Sequence, residues 1–249
     1  MASDSVAAGL PRPSTGRLLC VPTPVSADRR PQDDLSLSVI ERIAGIDYVV
    51  AENAKTARAF LGKLPLVRPI QAIEIVELNE HTRADAVAAM LDPLLSGRDA
   101  ALMSEAGCPG VADPGARLVQ AAHRVGIIVE PIVGPSSLLL ALMGSGLEGQ
   151  RFAFAGYLPT DPAARKARLR ELEQRSRRER ETQLFIETPY RNQAMFDALL
   201  GSLNESTWVC VAADLTGSRQ RLVTDRISGW RQRGIKLDKV PTVFLLLAD

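Results

Sequence analysis

The stretch from residue 103 to residue 115 reads Met-Ser-Glu-Ala-Gly-Cys-Pro-Gly-Val-Ala-Asp-Pro-Gly. An apolar run, Ala100–Met103, leads into it, and apolar residues spaced as on a helix follow it. Its glycines permit positive φ and let a ligand approach bare backbone, while its prolines stiffen the path between them. Because open α/β sheets bind cofactors at the carboxyl ends of their strands, this stretch predicts a binding loop, with an ordinary turn as the alternative.

A second signal of the same kind lies at Val133–Ser137, which repeats the order of strand, glycine turn and helix start. Around both signals, the first 145 residues alternate short apolar runs with helical patterns. The predicted strands are Leu18–Val21, Tyr48–Ala51, Ile73–Val76, Ala100–Met103 and Ile127–Ile132. This alternation predicts a mostly parallel sheet that is covered on both faces.

The pattern changes at Gly144–Gly149, a glycine-rich stretch that predicts a hinge. Beyond it, further strands are predicted at Phe152–Ala155, Gln183–Ile186, Trp208–Ala213, Arg221–Thr224 and Thr242–Leu247, with helices near 163–180 and 192–200. The sequence therefore predicts an N-terminal α/β domain at 17–147 and a smaller α/β domain with a mixed sheet at 151–249. Residues 1–16 are expected to form a disordered lead.

Composition limits the classes of function. The hydrophobic content is 46% and the mean hydropathy is +0.01, which is typical of a soluble globular protein. The net charge is only +1, so the protein as a whole does not attract nucleic acid or membranes electrostatically. The three cysteines lie far apart, without the spacing of metal ligands, so no metal site is predicted. No apolar run approaches the roughly 20 residues of a membrane span, and Met1–Gly16 shows neither a basic leader nor an apolar segment of a signal peptide, so a cytoplasmic location is expected.

Charge is concentrated in one predicted helix. Residues 162–181 contain eight basic and four acidic side chains, a local charge of +4. Only Leu169 and Leu172 supply an apolar stripe, so the helix is expected to stand off the core. Two interpretations remain open: a solvated face with mixed ion pairs, or an arm, Arg165–Arg180, whose arginines contact RNA phosphates.

Several motifs occur together in a fixed order: Cys20–Val25, Val50–Thr56, Glu77–His81, Ser104–Gly115, Gly134–Leu147, Arg151–Pro159 and Phe185–Arg191. In this order the chain resembles the tetrapyrrole-methylase-type S-adenosylmethionine (SAM) methyltransferases, and most of all their small-subunit ribosomal RNA cytidine 2′-O-methyltransferase branch. The resemblance implies two α/β domains with SAM in the cleft between them, a homodimer, and ribosomal RNA or the small ribosomal subunit as partner.

The same resemblance implies which residues bind the cofactor: Pro22, Ser104, Glu105, Gly107, Cys108, Val111, Asp113, Ser136, Ser137 and Ala213. The backbone amides of Gly107 and Val111 are expected to hold the methionine carboxylate. The strands near Ala213 and Thr242 would close over the adenosine. Glu105 and Asp113 have an alternative, which is to brace the loop through backbone N–H groups.

Four departures from the family pattern suggest a diverged paralogue. Ser26-Ala27 replaces a Gly-Asn pair, and the usual Asp-Ala-Gly-Thr reads Glu-Ala-Gly-Cys at 105–108. A Glu-Leu-Thr-Lys motif followed by a histidine–acid run becomes Asp214-Leu-Thr-Gly217. Tyr190 stands where the family has histidine.

Methyl transfer to a ribose hydroxyl requires a base within hydrogen-bond reach. Asp214 and Glu187 are the candidates because both end predicted strands, although carboxylates at strand ends also cap turns. Arg191 is a candidate phosphate clamp or one half of an ion pair. The predicted function is SAM-dependent 2′-O-methylation of a ribose in ribosomal RNA. The alternatives are methylation of a tetrapyrrole or another small molecule, and SAM binding without catalysis.

Overall fold

The computed structural model describes residues 15–249, so all but the last two residues of the predicted disordered lead lie outside it. By packing, the described chain forms two compact units. The first comprises the described residues up to Thr23 together with Leu35–Val133, and the second comprises Pro24–Asp34 together with Gly134–Asp249. The predicted domains, 17–147 and 151–249, divide the chain at a different point, and that division remains a prediction.

The described residues form ten strands and ten α-helices, numbered here in chain order. The strands are β1 Leu18–Val21, β2 Tyr48–Ala51, β3 Glu74–Glu77, β4 Ala100–Met103, β5 Val129–Pro131, β6 Phe152–Tyr157, β7 Thr182–Glu187, β8 Trp208–Ala213, β9 Arg221–Arg226 and β10 Thr242–Leu247. The helices are α1 Pro31–Asp34, α2 Leu37–Ala44, α3 Ala54–Leu61, α4 Ala84–Ala89, α5 Asp92–Leu95, α6 Gly115–Arg124, α7 Ser137–Ser145, α8 Pro162–Glu179, α9 Asn192–Ser202 and α10 Ile227–Arg233.

The first unit is built on a parallel sheet with the strand order β3-β2-β4-β1-β5. Alternate residues of its strands enter two separate cores, as Leu19 and Leu18 of β1 show, so both faces are covered. This confirms the predicted sheet. Strand β5 is shorter than the predicted Ile127–Ile132 because the Ile127 amide donates to the Ala122 carbonyl at 3.0 Å and completes the end of α6.

Two helices of the first unit, α2 and α3, begin at residues that supply side-chain caps. Ser36 Oγ accepts the Val39 amide at the start of α2, and Asn53 Oδ1 accepts the amides of Lys55 and Thr56 at the start of α3. Each cap satisfies donors that have no partner within the helix. The two helices therefore start next to the sheet at defined residues.

The second unit holds the mixed sheet that the sequence predicted, with the strand order β6-β7-β10-β8-β9. Strands β6 and β7 run parallel, whereas the pairings β7–β10, β10–β8 and β8–β9 are antiparallel. One face packs under α8, α9 and α10, and the other face packs under α7. The predicted hinge is partly helical, because Gly144 lies inside α7 and the helix ends at Ser145 before Gly146 at φ 70°.

The expectation that the charged helix stands off the core is wrong. In α8, Leu169 and Leu172 are fully buried, and Glu173 and Ser176 are buried with them. Glu173 accepts hydrogen bonds from the Asn204 amide at 2.8 Å and from Thr207 Oγ1 at 2.5 Å. Hydrogen bonds to residues far along the chain allow polar side chains of this helix to be buried beside its two leucines.

No helix within residues 15–249 is both long and apolar enough to cross a membrane.

Candidate active site

The glycine loop after β4 is tied to the segment that follows the neighbouring strand β1. Thr23 and Gly107 exchange two backbone hydrogen bonds, with N···O distances of 2.9 and 3.1 Å. Ser104 Oγ donates to the Gly107 carbonyl at 3.2 Å, and Pro22 is buried beside this junction in the chain. Gly107 and Gly110 have φ values of 75° and 82°, which L side chains rarely adopt. The loop is therefore a fixed shape at the carboxyl edge of the sheet.

Asp113 braces the far half of the loop. Its Oδ1 accepts the amides of Gly110 at 2.9 Å and Gly115 at 2.6 Å. Its Oδ2 is buried and has no hydrogen-bond partner among the described residues. Burial raises the pKa of this carboxyl, against the lowering effect of the two N–H donors. Asp113 thus does act as a brace, and it also keeps one buried oxygen unused.

The expectation for the two backbone amides does not fit the folded loop. The Gly107 amide donates to the Thr23 carbonyl at 3.1 Å, and the Val111 amide donates to the Cys108 carbonyl at 3.3 Å. Both N–H groups already have backbone acceptors, so they are not available to a methionine carboxylate. The Val111 side chain, by contrast, is 47% exposed, and Cys108 is half-buried, with a pKa raised by burial.

Sequence analysis missed Glu52, which follows β2. Its Oε2 accepts the Glu105 amide at 3.3 Å, and its own amide donates to the Met103 carbonyl at 3.1 Å. Burial, followed by the nearby charges of Glu105 and Asp113, raises the pKa of Glu52. The sequence indicates Glu52 only by its position at the carboxyl end of a predicted strand. The pairing of β2 with β4 is what brings Glu52 next to the glycine loop.

The remaining predicted cofactor residues lie in the second unit. Ser136 is the N-cap residue of α7 with extended backbone, and Ser137 is the first residue of that helix; both are half-buried. Ala213 ends β8 and pairs with Thr242, which in turn pairs with Glu187. Strand register therefore brings Ala213, Thr242 and Glu187 to one edge of the mixed sheet.

Glu187 is a buried anion held by neighbours close in sequence. Its Oε1 accepts from the Thr188 amide at 2.6 Å and from Arg191 Nε and Nη2 at 2.8 and 2.5 Å. Its Oε2 is buried without a partner among the described residues. Arg191 thus takes the ion-pair alternative, and its guanidinium occupies the Glu187 oxygen that a substrate hydroxyl would otherwise contact.

Asp214 follows β8 in a tight turn at φ 48°. Its Oδ2 accepts the Arg219 amide at 2.9 Å, and its carbonyl accepts the Gly217 amide at 2.9 Å. A Cβ at position 217 would lie 2.4 Å from both carboxylate oxygens, so the glycine leaves the space that this carboxylate occupies. Within residues 15–249 Asp214 forms no ion pair, so its carboxylate is not neutralised by a cation as Glu187 is.

Most arginines of α8 are committed to partners within the protein. Arg165 is buried and donates to the Thr160 carbonyl at 3.2 Å. Further contacts join Arg168 to Glu171, Arg175 to Glu181, Arg178 to Glu179, and Arg177 to the Asp249 carbonyl. In the described part of the chain, Lys166, Arg170 and Arg180 form no ion pair. Positive charge that no carboxylate side chain pairs therefore resides on these three exposed side chains, in addition to Arg165 and Arg177, which donate to carbonyl oxygens.

Over the same described residues, no group of three or more histidine, cysteine, aspartate or glutamate side chains is arranged to hold a metal ion.

With this geometry in hand, comparison with known proteins identifies the class. The family model described as Tetrapyrrole (Corrin/Porphyrin) Methylases matches residues 31–229. A protein named ribosomal RNA small subunit methyltransferase I, from Xylella fastidiosa, is 35% identical over 201 residues, which are 81% of this chain and 69% of that protein. The chain belongs to the tetrapyrrole methylase family, a family of SAM-dependent methyltransferases. This confirms the resemblance seen in the ordered motifs.

Solved structures support the same fold. The methyltransferase CobJ superposes with a TM-score of 0.61 at 17% identity, over 94% of this chain and 95% of that one. The uroporphyrin-III C-methyl transferase from Thermus thermophilus, complexed with S-adenosylhomocysteine, superposes with a TM-score of 0.54 at 16% identity, over 93% of this chain and 97% of that one.

Proposed function

We propose that this protein transfers a methyl group from SAM to a ribose 2′-hydroxyl of ribosomal RNA in the cytoplasm. The observation that carries the proposal is the 35% identity, across most of the chain, to a ribosomal RNA small subunit methyltransferase. The solved tetrapyrrole methyltransferases share the fold at 17% identity or less, and fold alone does not select a substrate.

The loop after β4 fits the cationic cofactor of the family. Glu52, Glu105 and Asp113 place three carboxyl groups there, and burial raises the pKa of Glu52 and Asp113, which supports the binding of a cation beside them. When bound, SAM supplies an electrophilic methyl group on a sulfonium. Gly107 and Gly110, held at positive φ, keep the loop backbone free of side chains where a ligand approaches.

For the acceptor, Asp214 is our proposed base. The ribose 2′-oxygen would form a bond to the methyl carbon as the carbon–sulfur bond of SAM breaks, S-adenosylhomocysteine would leave with the bonding electrons, and the hydroxyl proton would pass to a carboxylate oxygen. Among the described residues 15–249 no cation pairs with Asp214, whereas Arg191 pairs with Glu187. We therefore assign Glu187 to holding the turn that follows β7, and the basic oxygen to Asp214.

The RNA contact that we propose on α8 is narrower than the whole arginine run. Lys166 and Arg170 are the basic side chains of α8 that form neither an ion pair nor a hydrogen bond within residues 15–249, so they are the side chains of the helix left to meet phosphates. Replacing both with glutamine should weaken RNA binding and flatten its salt dependence. Arg175→Gln is the matched control, because Arg175 is already paired with Glu181 at 2.9 Å and should change binding little. If Arg175→Gln weakened RNA binding as much as the double variant, the effect would come from the net positive charge of the helix and not from contacts of Lys166 and Arg170.

A homodimer is part of the proposal. Leu139 and Met143 are 57% and 78% exposed, and they lie one helical turn apart on α7. An exposed apolar stripe of this kind favours a subunit contact. Light scattering should give twice the mass of the chain, and Leu139→Lys should yield monomers; a monomeric wild type would contradict this part.

The main experiment measures transfer of a tritiated methyl group from SAM to total RNA of a strain that lacks the protein. Protein and small-molecule fractions, including tetrapyrroles, are counted alongside. We expect label in small-subunit ribosomal RNA at a 2′-oxygen, and loss of label with Gly107→Val, since a β-branched residue disfavours the φ of 75° that Gly107 adopts. Label confined to small molecules would favour the tetrapyrrole alternative. SAM binding without any label would favour a silent SAM-binding protein.

A further inference from the structure

The turn after β7 presents an aromatic ring to solvent. Tyr190 is 82% exposed, although aromatic side chains usually bury most of their surface in cores or interfaces. It occupies the middle of the short 3-10 helix Pro189–Arg191. Its ring contributes little to the core of the protein, so packing does not explain an aromatic residue at this position.

The backbone under the ring is rigid. The buried Glu187 carboxylate accepts the Thr188 amide at 2.6 Å and Arg191 Nε at 2.8 Å, while the Arg191 amide donates to the Thr188 carbonyl at 2.9 Å. Both ends of the turn are thus fixed to one buried anion. The ring is presented with little backbone entropy left to lose on binding.

A cation is held beside the ring by a second buried group. Asn192 Nδ2 donates to the Val240 carbonyl at 2.7 Å and to Thr242 Oγ1 at 3.0 Å, which fixes the loop before β10 next to the turn. Lys239 on that loop places its Nζ 5.8 Å from the centre of the Tyr190 ring. Lys239 forms no ion pair within residues 15–249, so its charge is available to an anion.

We propose that Tyr190 and Lys239 form a stacking platform for single-stranded RNA, on which one unpaired base stacks on Tyr190 while Lys239 contacts an adjacent phosphate. Aromatic rings flanked by cations are how proteins bind unstacked nucleotides, because every base has a π-face and every linkage carries a charge. A base inside a duplex is already stacked on both sides and does not reach the ring. The platform rests on the proposed RNA methylation and specifies that the RNA is presented as a single strand.

The test measures binding of a fluorescein-labelled oligocytidine by anisotropy, with the same strand annealed to its complement as the duplex probe. Tyr190→Ala should weaken binding of the single strand by about tenfold, the usual loss for one stacked base, and leave duplex binding unchanged. Tyr190→Phe keeps the ring and should bind as wild type does. Lys239→Gln should lower the slope of log affinity against log salt by about 0.7, the release expected for one phosphate of a single strand.

Phe152→Ala is the matched control. Phe152 is 44% exposed on β6, and it pairs with Thr182 at the end of the sheet opposite to Glu187. Unchanged binding by Tyr190→Ala, an equal loss for single strand and duplex, or an equal loss with Phe152→Ala would overturn the platform, as would a wild type that does not bind the single strand.

Methyl transfer separates the platform from the function on which it rests. RNA methylation by the wild type that Tyr190→Ala leaves intact, together with unchanged binding, overturns only the platform. Tyr190-dependent binding without methyl transfer to any RNA supports the platform and overturns the proposed function.

Discussion

Gly115→Ala should destabilise the protein, although alanine is the better helix former. Gly115 is the first residue of α6, directly after the glycine loop. An added Cβ would lie 2.7 Å from Asp113 Oδ1, 3.1 Å from Leu102 Cδ2 and 3.2 Å from the Gly110 nitrogen. Two of these atoms belong to the hydrogen bond that braces the loop, so the methyl group cannot be accommodated by a side-chain rotation alone.

The expected change in stability combines two costs and one gain. Overpacking costs about 1 to 3 kcal/mol. A weakened hydrogen bond to the Asp113 carboxylate costs about 1.5 to 3 kcal/mol more. The helix propensity of alanine returns at most about 1 kcal/mol. We therefore expect the free energy of unfolding to fall by about 2 to 5 kcal/mol, and SAM affinity to fall with it if the cofactor uses this loop.

Gly201→Ala is the matched control. Gly201 lies in α9, is exposed, and an added Cβ there would meet no heavy atom within 4 Å. This variant should gain up to about 1 kcal/mol, since only helix propensity changes. Urea unfolding followed by circular dichroism gives both free energies, and calorimetry gives SAM affinity. Equal stability of the Gly115→Ala variant and the wild type, with equal SAM affinity, would refute this account of the loop.

Three further predictions concern single side chains. Asp214→Asn keeps the shape of the turn but removes the basic oxygen, so it should leave SAM affinity near wild type and depress methyl transfer; a lowered melting temperature with full turnover per folded molecule would make Asp214 a brace only. Glu173→Gln should lower the free energy of unfolding by about 2 kcal/mol in urea titrations, because an NH2 group would replace one of the two oxygens that accept from Asn204; an unchanged midpoint would contradict this. Arg30→Gln should return the pKa of Asp33 from about 2 toward 3.8, because hydrogen bonds from Arg30 hold it down. The stability that this lowered pKa supplies is present above about pH 3.8 and is lost as the pH falls toward 2, so the free energy of unfolding of the variant should decrease less on acidification. Carboxyl-carbon NMR titration measures the pKa of Asp33, and an unchanged pKa in the variant would exclude the contact with Arg30.

The strands were predictable because their signal is local. Runs such as Tyr48–Ala51 and Ala100–Met103 are apolar at every position, which is typical of a strand buried on both faces, and the structure places them at those residues. Helix α8 was not predictable in the same way. Its burial depends on Glu173 finding Asn204 and Thr207, which lie 31 and 34 residues further along the chain. No local pattern reports such partners.

The candidate site likewise combines features that consecutive residues predict with features that depend on strand pairing. The glycine loop is written in consecutive residues, so its position and its need for Gly107 could be predicted. Glu52 could not, because it joins the loop only through the pairing of β2 with β4, strands that are separated in the chain by β3. The engagement of the Gly107 amide with Thr23 was hidden for the same reason, since it depends on β1 lying beside β4.

By itself, the sequence determined the family, the alternation of strands and helices, and the loop that follows β4, because each is carried by residues adjacent in the chain or by motifs in a fixed order. Only the tertiary structure decided which polar groups are already satisfied: the Arg191 guanidinium on Glu187, the Asp214 carboxylate over Gly217, and three arginines of α8 on their acidic neighbours. The physical reason is that the charge or basicity left for function depends on distances between side chains, and packing sets those distances.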